Sequence, residues 1–257
     1  MMKIDYELQY KQILRHCLEN GTERNDRTGV GSKSVFNMVL SIDVSKHFPI
    51  ITGRKMSQKI FDTEFDWFMN GETNIKRFQD AGVKIWDAWA DENGDLGPVY
   101  GHQMRNFNDQ NIDQMRNLIK SLRTEQDSRR HIISLWNPAQ QDQMALPPCY
   151  LYFQFFVDKG KLNMFVVQRS GDLFLGIPYD VALFTKILLY VAEETGLKAN
   201  TLDIQIVDAH IYNNQREAVH EYLKQKTFEL PIYKFGDKLL ELINYEHGSI
   251  ITATVAV

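Results

Sequence analysis

Cysteine is scarce. The 257-residue chain has two, Cys17 and Cys149. Their contexts differ, so no disulfide framework is indicated and a reducing, cytoplasmic setting is expected. The chain has no CxxC pair, no HExxH motif and no Gly-rich phosphate loop. Gly29-Val30-Gly31 is too short to serve as one. Neither a metal centre nor a bound dinucleotide is therefore expected. No apolar run approaches the ~20 residues needed to span a membrane. The first residues, MMKIDYELQYKQ, are polar and lack an apolar signal core. Basic excess is missing too: the net charge is −4, which argues against DNA or RNA as the main partner. A few local arginines can still hold one anion. With no linker, repeat or low-complexity stretch in view, residues 1–257 are expected to form one domain.

What is present is the composition of a globular protein, 44% hydrophobic and 24% charged, with enough apolar mass for its own core. Residues 6–20 place Leu8, Ile13, Leu14, Cys17 and Leu18 at helical spacing, with Gly21 as the stop. Cys17 then reads as a small buried hydrophobe. Residues 33–44 have strand composition. Residues 57–70 predict a second helix, with Ile60, Phe61, Glu64, Trp67 and Phe68 on or near one face. A surface helix is expected over 111–123 and a short strand over 131–136. Runs 150–157 and 161–168 predict a hairpin turning at Asp158-Lys159-Gly160. Residues 181–195 are apolar nearly all round, which suits a central buried helix. Another strand is expected over 202–207. This order of hairpins and helices indicates an α+β fold on a mixed, mostly antiparallel sheet with packed helices.

Several short segments suggest chemistry, and each has a plainer explanation. Cys149 follows Pro147-Pro148, a rigid mount that suits a nucleophile and equally a buried cysteine at a strand start. Gln168-Arg169-Ser170-Gly171-Asp172, continuing through Leu175-Gly176 to Asp180, reads as a ligand loop after a strand. Arg169 suits a phosphate, a thiolate or simply solvent. The same choice applies to Arg27 and to the adjacent Arg129 and Arg130. Trp86 and Trp89 suit stacking on a flat heterocycle or ordinary core packing. His210 and Tyr212 alternate at strand spacing and can share a face.

In order along the chain, Arg27-Thr28-Gly29, Ile85-Trp86-Asp87, the run from Asp91 to Gly101, Asp127-Ser128-Arg129-Arg130, Pro148-Cys149, the run from Gln168 to Pro178, Asp208-Ala209-His210-Ile211-Tyr212 and the ending Val255-Ala256-Val257 resemble thymidylate synthases nearly end to end. The resemblance implies a homodimer packed through sheet faces and a one-carbon donor, 5,10-methylenetetrahydrofolate. It implies that Cys149 attacks pyrimidine C6. Arg27, Arg169 and Ser170, with Arg129 and Arg130 of a second copy, would hold the 5′-phosphate, with Gln168 also in the substrate site. His210 and Tyr212 would hold the sugar and Glu64 would order water. Trp86, Trp89, Asp172, Leu175, Gly176, Arg54 and Val257 would border or close over the folate.

Three positions depart from that pattern. Asp180 stands where uracil readers carry Asn. A carboxylic acid can donate to cytosine N3 and accept from its 4-amino group, so Asp180 points to dCMP. By resemblance, family members that hydroxymethylate dCMP carry Asp here. Tyr150 replaces the usual His after the nucleophile. Gly53-Arg54-Lys55 replaces the usual pattern near the folate tail, with Arg54 keeping a positive charge. Trp86, Trp89 and the Val255-Ala256-Val257 ending favour a methyl product, 5-methyl-dCMP. 5-Hydroxymethyl-dCMP, an ordinary dUMP-to-dTMP enzyme and a non-catalytic nucleotide- or RNA-binding regulator are the alternatives.

Overall fold

The computed structural model describes residues 5–256. Helix α1 (Tyr6–Asn20) starts where the Asp5 carboxylate accepts the N–H groups of Glu7 and Leu8, supplying the partners that a helix start lacks. It ends at Gly21, and its buried stripe includes Tyr10, Leu14 and Cys17. Cys17 is fully buried as expected, and burial pushes its thiol up to about 11.

The central sheet has six strands: β1 (Thr22–Arg24), β2 (Ser32–Asp43), β3 (Ile132–Ser134), β4 (Tyr150–Asp158), β5 (Lys161–Asp172) and β6 (Lys198–Tyr212). Their spatial order is β1-β2-β6-β5-β4-β3. Every pairing is antiparallel except β5 with β6. A parallel pair needs a crossover, and α6 (Gly176–Thr195) supplies it. That helix lies against the sheet and is buried nearly all round, from Ile177 to Ala192. Alternation along β5 sends Leu162, Met164, Val166 and Gln168 to the helix side. The far side carries Tyr152, Phe165 and Val167, with Phe36 and Phe156 largely exposed.

Helices α2 (Gln58–Met69), α3 (Lys76–Asp80), α4 (Tyr100–Arg105) and α5 (Gln114–Thr124) build the rest of the helical layer. α5 is amphipathic, burying Met115, Leu118 and Leu122 and presenting its polar side to solvent. α7 (Arg216–Lys224) and the small hairpin β7 (Ile232–Gly236) and β8 (Leu239–Ile243) follow. α2 packs on α6, where buried Lys186 pairs with Asp62 at 2.6 Å.

Three sequence expectations need correction. The strand expected over 202–207 spans Lys198–Tyr212. The strand predicted to stop at residue 168 runs on to Asp172, so the ligand loop is a strand end. Residues 168–172 stay extended because β6 pairs alongside them, Gln168 against Ile206 and Asp172 against His210. The helix predicted from residue 181 begins at Gly176. Pro178 does not prevent this, because first-turn N–H groups have no helical acceptor.

Candidate active site

The register of three strands assembles the site. Tyr150 pairs with Gln168, and the Arg169 N–H donates to the Cys149 carbonyl at 2.8 Å, so the thiol-bearing residue lies beside Arg169. Asp172 pairs with His210, which brings the end of β6 to the same edge. Around this edge lies a cleft of about 330 Å³. Its wall includes Cys149, Arg169, Asp180, Glu64, Trp86 and His210.

Cys149 is half-buried. Its N–H donates to the Tyr100 hydroxyl at 3.0 Å. Arg169 steadies the same loop from below: Nε donates to the Pro148 carbonyl at 2.9 Å and a terminal nitrogen to that of Pro147 at 2.8 Å. Its guanidinium also lies over the Trp136 ring. Burial pushes the Cys149 thiol above its usual value; Arg169 opposes this, Asp180 reinforces it, and Tyr100 and then Arg27 oppose it further. Arg169 and Arg27 thus act toward the thiolate, but in the single chain desolvation outweighs them.

Three carboxyl groups line the cleft, and two of them, Glu64 and Asp180, are pushed well above the usual carboxylate range. Glu64, on α2, is buried and accepts from Trp86 Nε1 at 3.3 Å. Burial and then the nearby Asp180 raise its pKa to about 8. Asp180 sits in the second turn of α6, with Oδ2 accepting from Gln168 Nε2 at 2.7 Å. Burial raises it to about 7, the Gln168 bond opposes this, and Asp172 adds to it. Near neutral pH these two groups retain protons that ordinary carboxyls would have lost.

The rim is polar and aromatic. His210 and Tyr212 share an edge of β6, their rings 4.9 Å apart and close to perpendicular. Burial pulls His210 down, but the Asp208 bond and the charges of Asp172 and Asp208 outweigh it, so its pKa is raised. Asp172 Oδ1 accepts the N–H groups of Phe174 and Leu175, and its Oδ2 accepts from Gln215. This carboxylate therefore shapes the turn into α6 besides lining the cleft. Trp86 and Trp89 meet edge to face at 5.8 Å. Trp86 both packs on the core and lines the cleft.

Most of the predicted residues meet here: Cys149, Glu64, Asp180, Arg169, Arg27, Ser170, His210, Tyr212, Trp86, Trp89, Asp172, Leu175 and Gly176 all line the cleft. Others do not. Gln168 is fully buried behind Asp180 and is outside the cleft wall. Arg54 is also buried, stacked on the Phe174 ring and donating to the Phe174 carbonyl at 2.7 Å. Arg129 and Arg130 are exposed and lie outside the cleft of their own chain. Val257 lies outside the described residues, although Val255 and Ala256 reach the wall.

Sequence reasoning missed Tyr100, Tyr179, Ile60 and Leu146 in this wall. Tyr100 had a signal: it falls inside the run from Asp91 to Gly101. That run folds as linked turns in which the Asp91 carboxylate accepts the N–H groups of Asn93 and Asp95, and that of Asp95 accepts from Gly97. Gly97 has φ +73°, and a Cβ there would lie 2.0 Å from the Gln143 carbonyl oxygen, so only glycine fits. The turns deliver Tyr100 to the first position of α4, beneath the thiol loop.

The fold and the cleft define an α+β protein with a thiol and two protonatable carboxyls around one ligand-sized recess. The family model described as thymidylate synthase matches residues 8–257, nearly the whole chain. The chain belongs to the thymidylate synthase family. That family consists of dimeric transferases of nucleotide biosynthesis, which use methylenetetrahydrofolate as co-substrate and act at C5 of a pyrimidine nucleotide. Among the described residues no helix is long and apolar enough to cross a membrane.

Proposed function

We propose that this enzyme transfers a one-carbon unit to C5 of dCMP, giving 5-methyl-dCMP, with residues 1–257 acting as one catalytic unit. The observation that carries the reading is Asp180: a carboxyl group, not an amide, faces the cleft that holds Cys149. With its pKa raised to about 7, it retains a proton to share with cytosine N3, while its other oxygen accepts from the 4-amino group. Proton donation to N3 draws electrons from the ring and activates C6.

C5 of a pyrimidine is a weak nucleophile. Addition of the Cys149 sulfur at C6 shifts the C5=C6 electron pair onto C5, which then forms the new carbon–carbon bond. Loss of the C5 proton and departure of the sulfur restore the ring. Glu64, buried beside Trp86 and also protonated near neutrality, is placed to pass protons through ordered water. 5,10-Methylenetetrahydrofolate supplies the one-carbon unit and, for a methyl product, the hydride.

The residues present fit such a flat co-substrate: Trp86, Trp89, Leu175, Ile60 and Ile85 make one side of the cleft apolar and aromatic. Val255 and Ala256 bring the C-terminal segment against it, which helps exclude water and favours hydride over hydration. Arg27, Arg169 and Ser170 suit the 5′-phosphate, and His210 and Tyr212 the sugar.

Arg129 and Arg130 point to a second subunit's cleft. The outer sheet face supports such pairing, since Phe36, Val39 and Phe156 stand exposed there and Tyr152 and Phe165 pack ring to ring. Two further guanidinium groups from a partner would add the positive charge that Cys149 lacks in the single chain.

The test is tritium release from C5 of dCMP and dUMP in the presence of methylenetetrahydrofolate, with the product's mass measured. Release from dCMP and a mass gain of one methylene unit support the reading. Release from dUMP alone overturns it. Product formation without dihydrofolate absorbance would replace methyl by hydroxymethyl.

A further inference from the structure

A protonated carboxyl alone does not select cytosine. If its proton can sit on either oxygen, the group offers donor–acceptor in one form and acceptor–donor in the other. The first form matches cytosine and the second matches uracil, much as an amide can turn over to suit either. Selectivity needs something that fixes which oxygen holds the proton.

Gln168 stands where such a device is needed. It is 0% exposed, on the helix-facing side of β5. Pairing with Tyr150 of β4 on one side and Ile206 of β6 on the other holds its backbone in register. Its Nε2 donates to Asp180 Oδ2 at 2.7 Å. Its Oε1 is buried without a hydrogen-bond partner among the described residues. Asp180 lines the cleft, whereas Gln168 does not.

The backing of Asp180 is therefore asymmetric. Oδ2 faces an amide N–H and can only accept from it. A protonated oxygen is the poorer acceptor, so the amide donor at Oδ2 favours the proton on Oδ1. An amide turned over would place Oε1 against Oδ2 and require the proton there. It would also move the amide hydrogens to the place where the carbonyl oxygen now lies without a hydrogen-bond partner among the described residues. Only the donating orientation serves both protonation states of Asp180, because an ionised carboxylate facing Oε1 would be repelled.

We infer that Gln168 is a specificity-determining positioning residue: by donating to Oδ2 it confines the Asp180 proton to Oδ1. The carboxyl becomes a reader with one fixed donor and one fixed acceptor. Cytosine presents the complement, an acceptor at N3 and a donor at the 4-amino group. Gln168 never touches the base and acts through Asp180. This inference rests on the proposed reading of Asp180 and names what makes that reading selective.

The experiment compares wild-type enzyme with Gln168→Met, which keeps volume and removes the donor. The reading is the ratio of kcat/KM for tritium release from dCMP and from dUMP. The inference predicts that the ratio falls by on the order of tenfold, the size of effect expected for one lost hydrogen bond to a charged or polar partner. A purely structural role would lower both substrates together and leave the ratio unchanged. Wild-type preference for dCMP retained in full by Gln168→Met overturns this inference and leaves the Asp180 reading standing. Wild-type release from dUMP alone overturns both.

If Gln168→Met does not fold, the side-chain amide of Gln168 in the wild-type dCMP complex carries the test by NMR. One amide proton protected from solvent exchange and shifted as in a hydrogen bond supports the inference. Two freely exchanging amide protons overturn it.

Discussion

The Tyr100 hydroxyl accepts the backbone N–H of Cys149 at 3.0 Å, so the loop that carries the thiol is tied to the head of a helix that begins some fifty residues earlier. The tie fixes the loop at the residue that the proposed reaction uses as nucleophile. Tyr100 itself is held in an aromatic cluster, with its ring 4.6 Å from that of Tyr150 and 5.3 Å from that of Phe68.

Removing that acceptor should be visible in the chemistry. Tyr100→Phe keeps the ring packing and leaves a backbone N–H unpaired, a loss of about 1–3 kcal/mol. If the whole loss falls on sulfur addition, the rate drops roughly fivefold to 150-fold. Stopped-flow measurement of C5 tritium exchange checks this. An exchange rate equal to wild type would mean that the tie does not serve the nucleophile.

Asp180→Asn exchanges an acid for an amide in the same cleft. The amide can accept from uracil N3–H and donate to O4, so preference should move toward dUMP. Competition between labelled dCMP and dUMP in one tube gives the ratio directly, and an unmoved ratio would count against the donor–acceptor account. Wild-type turnover of dCMP should also fall above about pH 7, as the raised Asp180 carboxyl loses its proton. A profile flat into the alkaline range would contradict proton sharing.

The two raised carboxyls make a further prediction about stability. Glu64 at about 8 and Asp180 at about 7 bind protons more tightly folded than unfolded, where carboxyls titrate near roughly 4. Between those values the folded state holds more protons, so their contribution is full at acid pH and is lost as pH rises through 7 to 8. Urea midpoints at pH 5 and pH 8 measure it. The Glu64→Gln protein, with no proton to lose, should show a shallower decline than wild type between the two.

Gly97→Ala tests the turns that carry Tyr100. The added methyl would meet the Gln143 carbonyl oxygen, and the positive φ disfavours alanine independently. Destabilisation of about 1–3 kcal/mol is expected. Thermal unfolding reads it, and a midpoint within a degree of wild type would show that this backbone gives way freely.

The long elements were legible because their pattern is local. α1 carries its stripe and its stop within one stretch of chain, and the β4–β5 hairpin announces its turn at Lys159 and Gly160, both at positive φ. Where β5 ends was not legible, since residues 168–172 are held extended by β6, which follows a whole helix later. The early start of α6 was hidden by Pro178, which reads as a breaker when its place in the first turn is unknown. The site residues could be found singly from their chemistry and jointly from the family pattern. Which of them face the cleft could not, because a strand and a helix must first be docked. Gln168 is the clearest case: adjacent in sequence to Arg169, which lines the cleft, it is fully buried outside the cleft wall and donates to Asp180.

The single parallel pairing gives the sheet a working end and a silent one. β5 and β6 run the same way, so both deliver Arg169, Asp172, His210 and Tyr212 at their far ends, while the turn at 158–160 and the bend at Gly196 gather at their beginnings. Twelve residues of strand separate the two ends, roughly 35–40 Å at 3.3 Å per residue. Loop length, sequence and even an inserted tag can vary at the silent end without reaching the cleft. A change of one residue in register between β5 and β6, by contrast, would shift two halves of the cleft past each other at once.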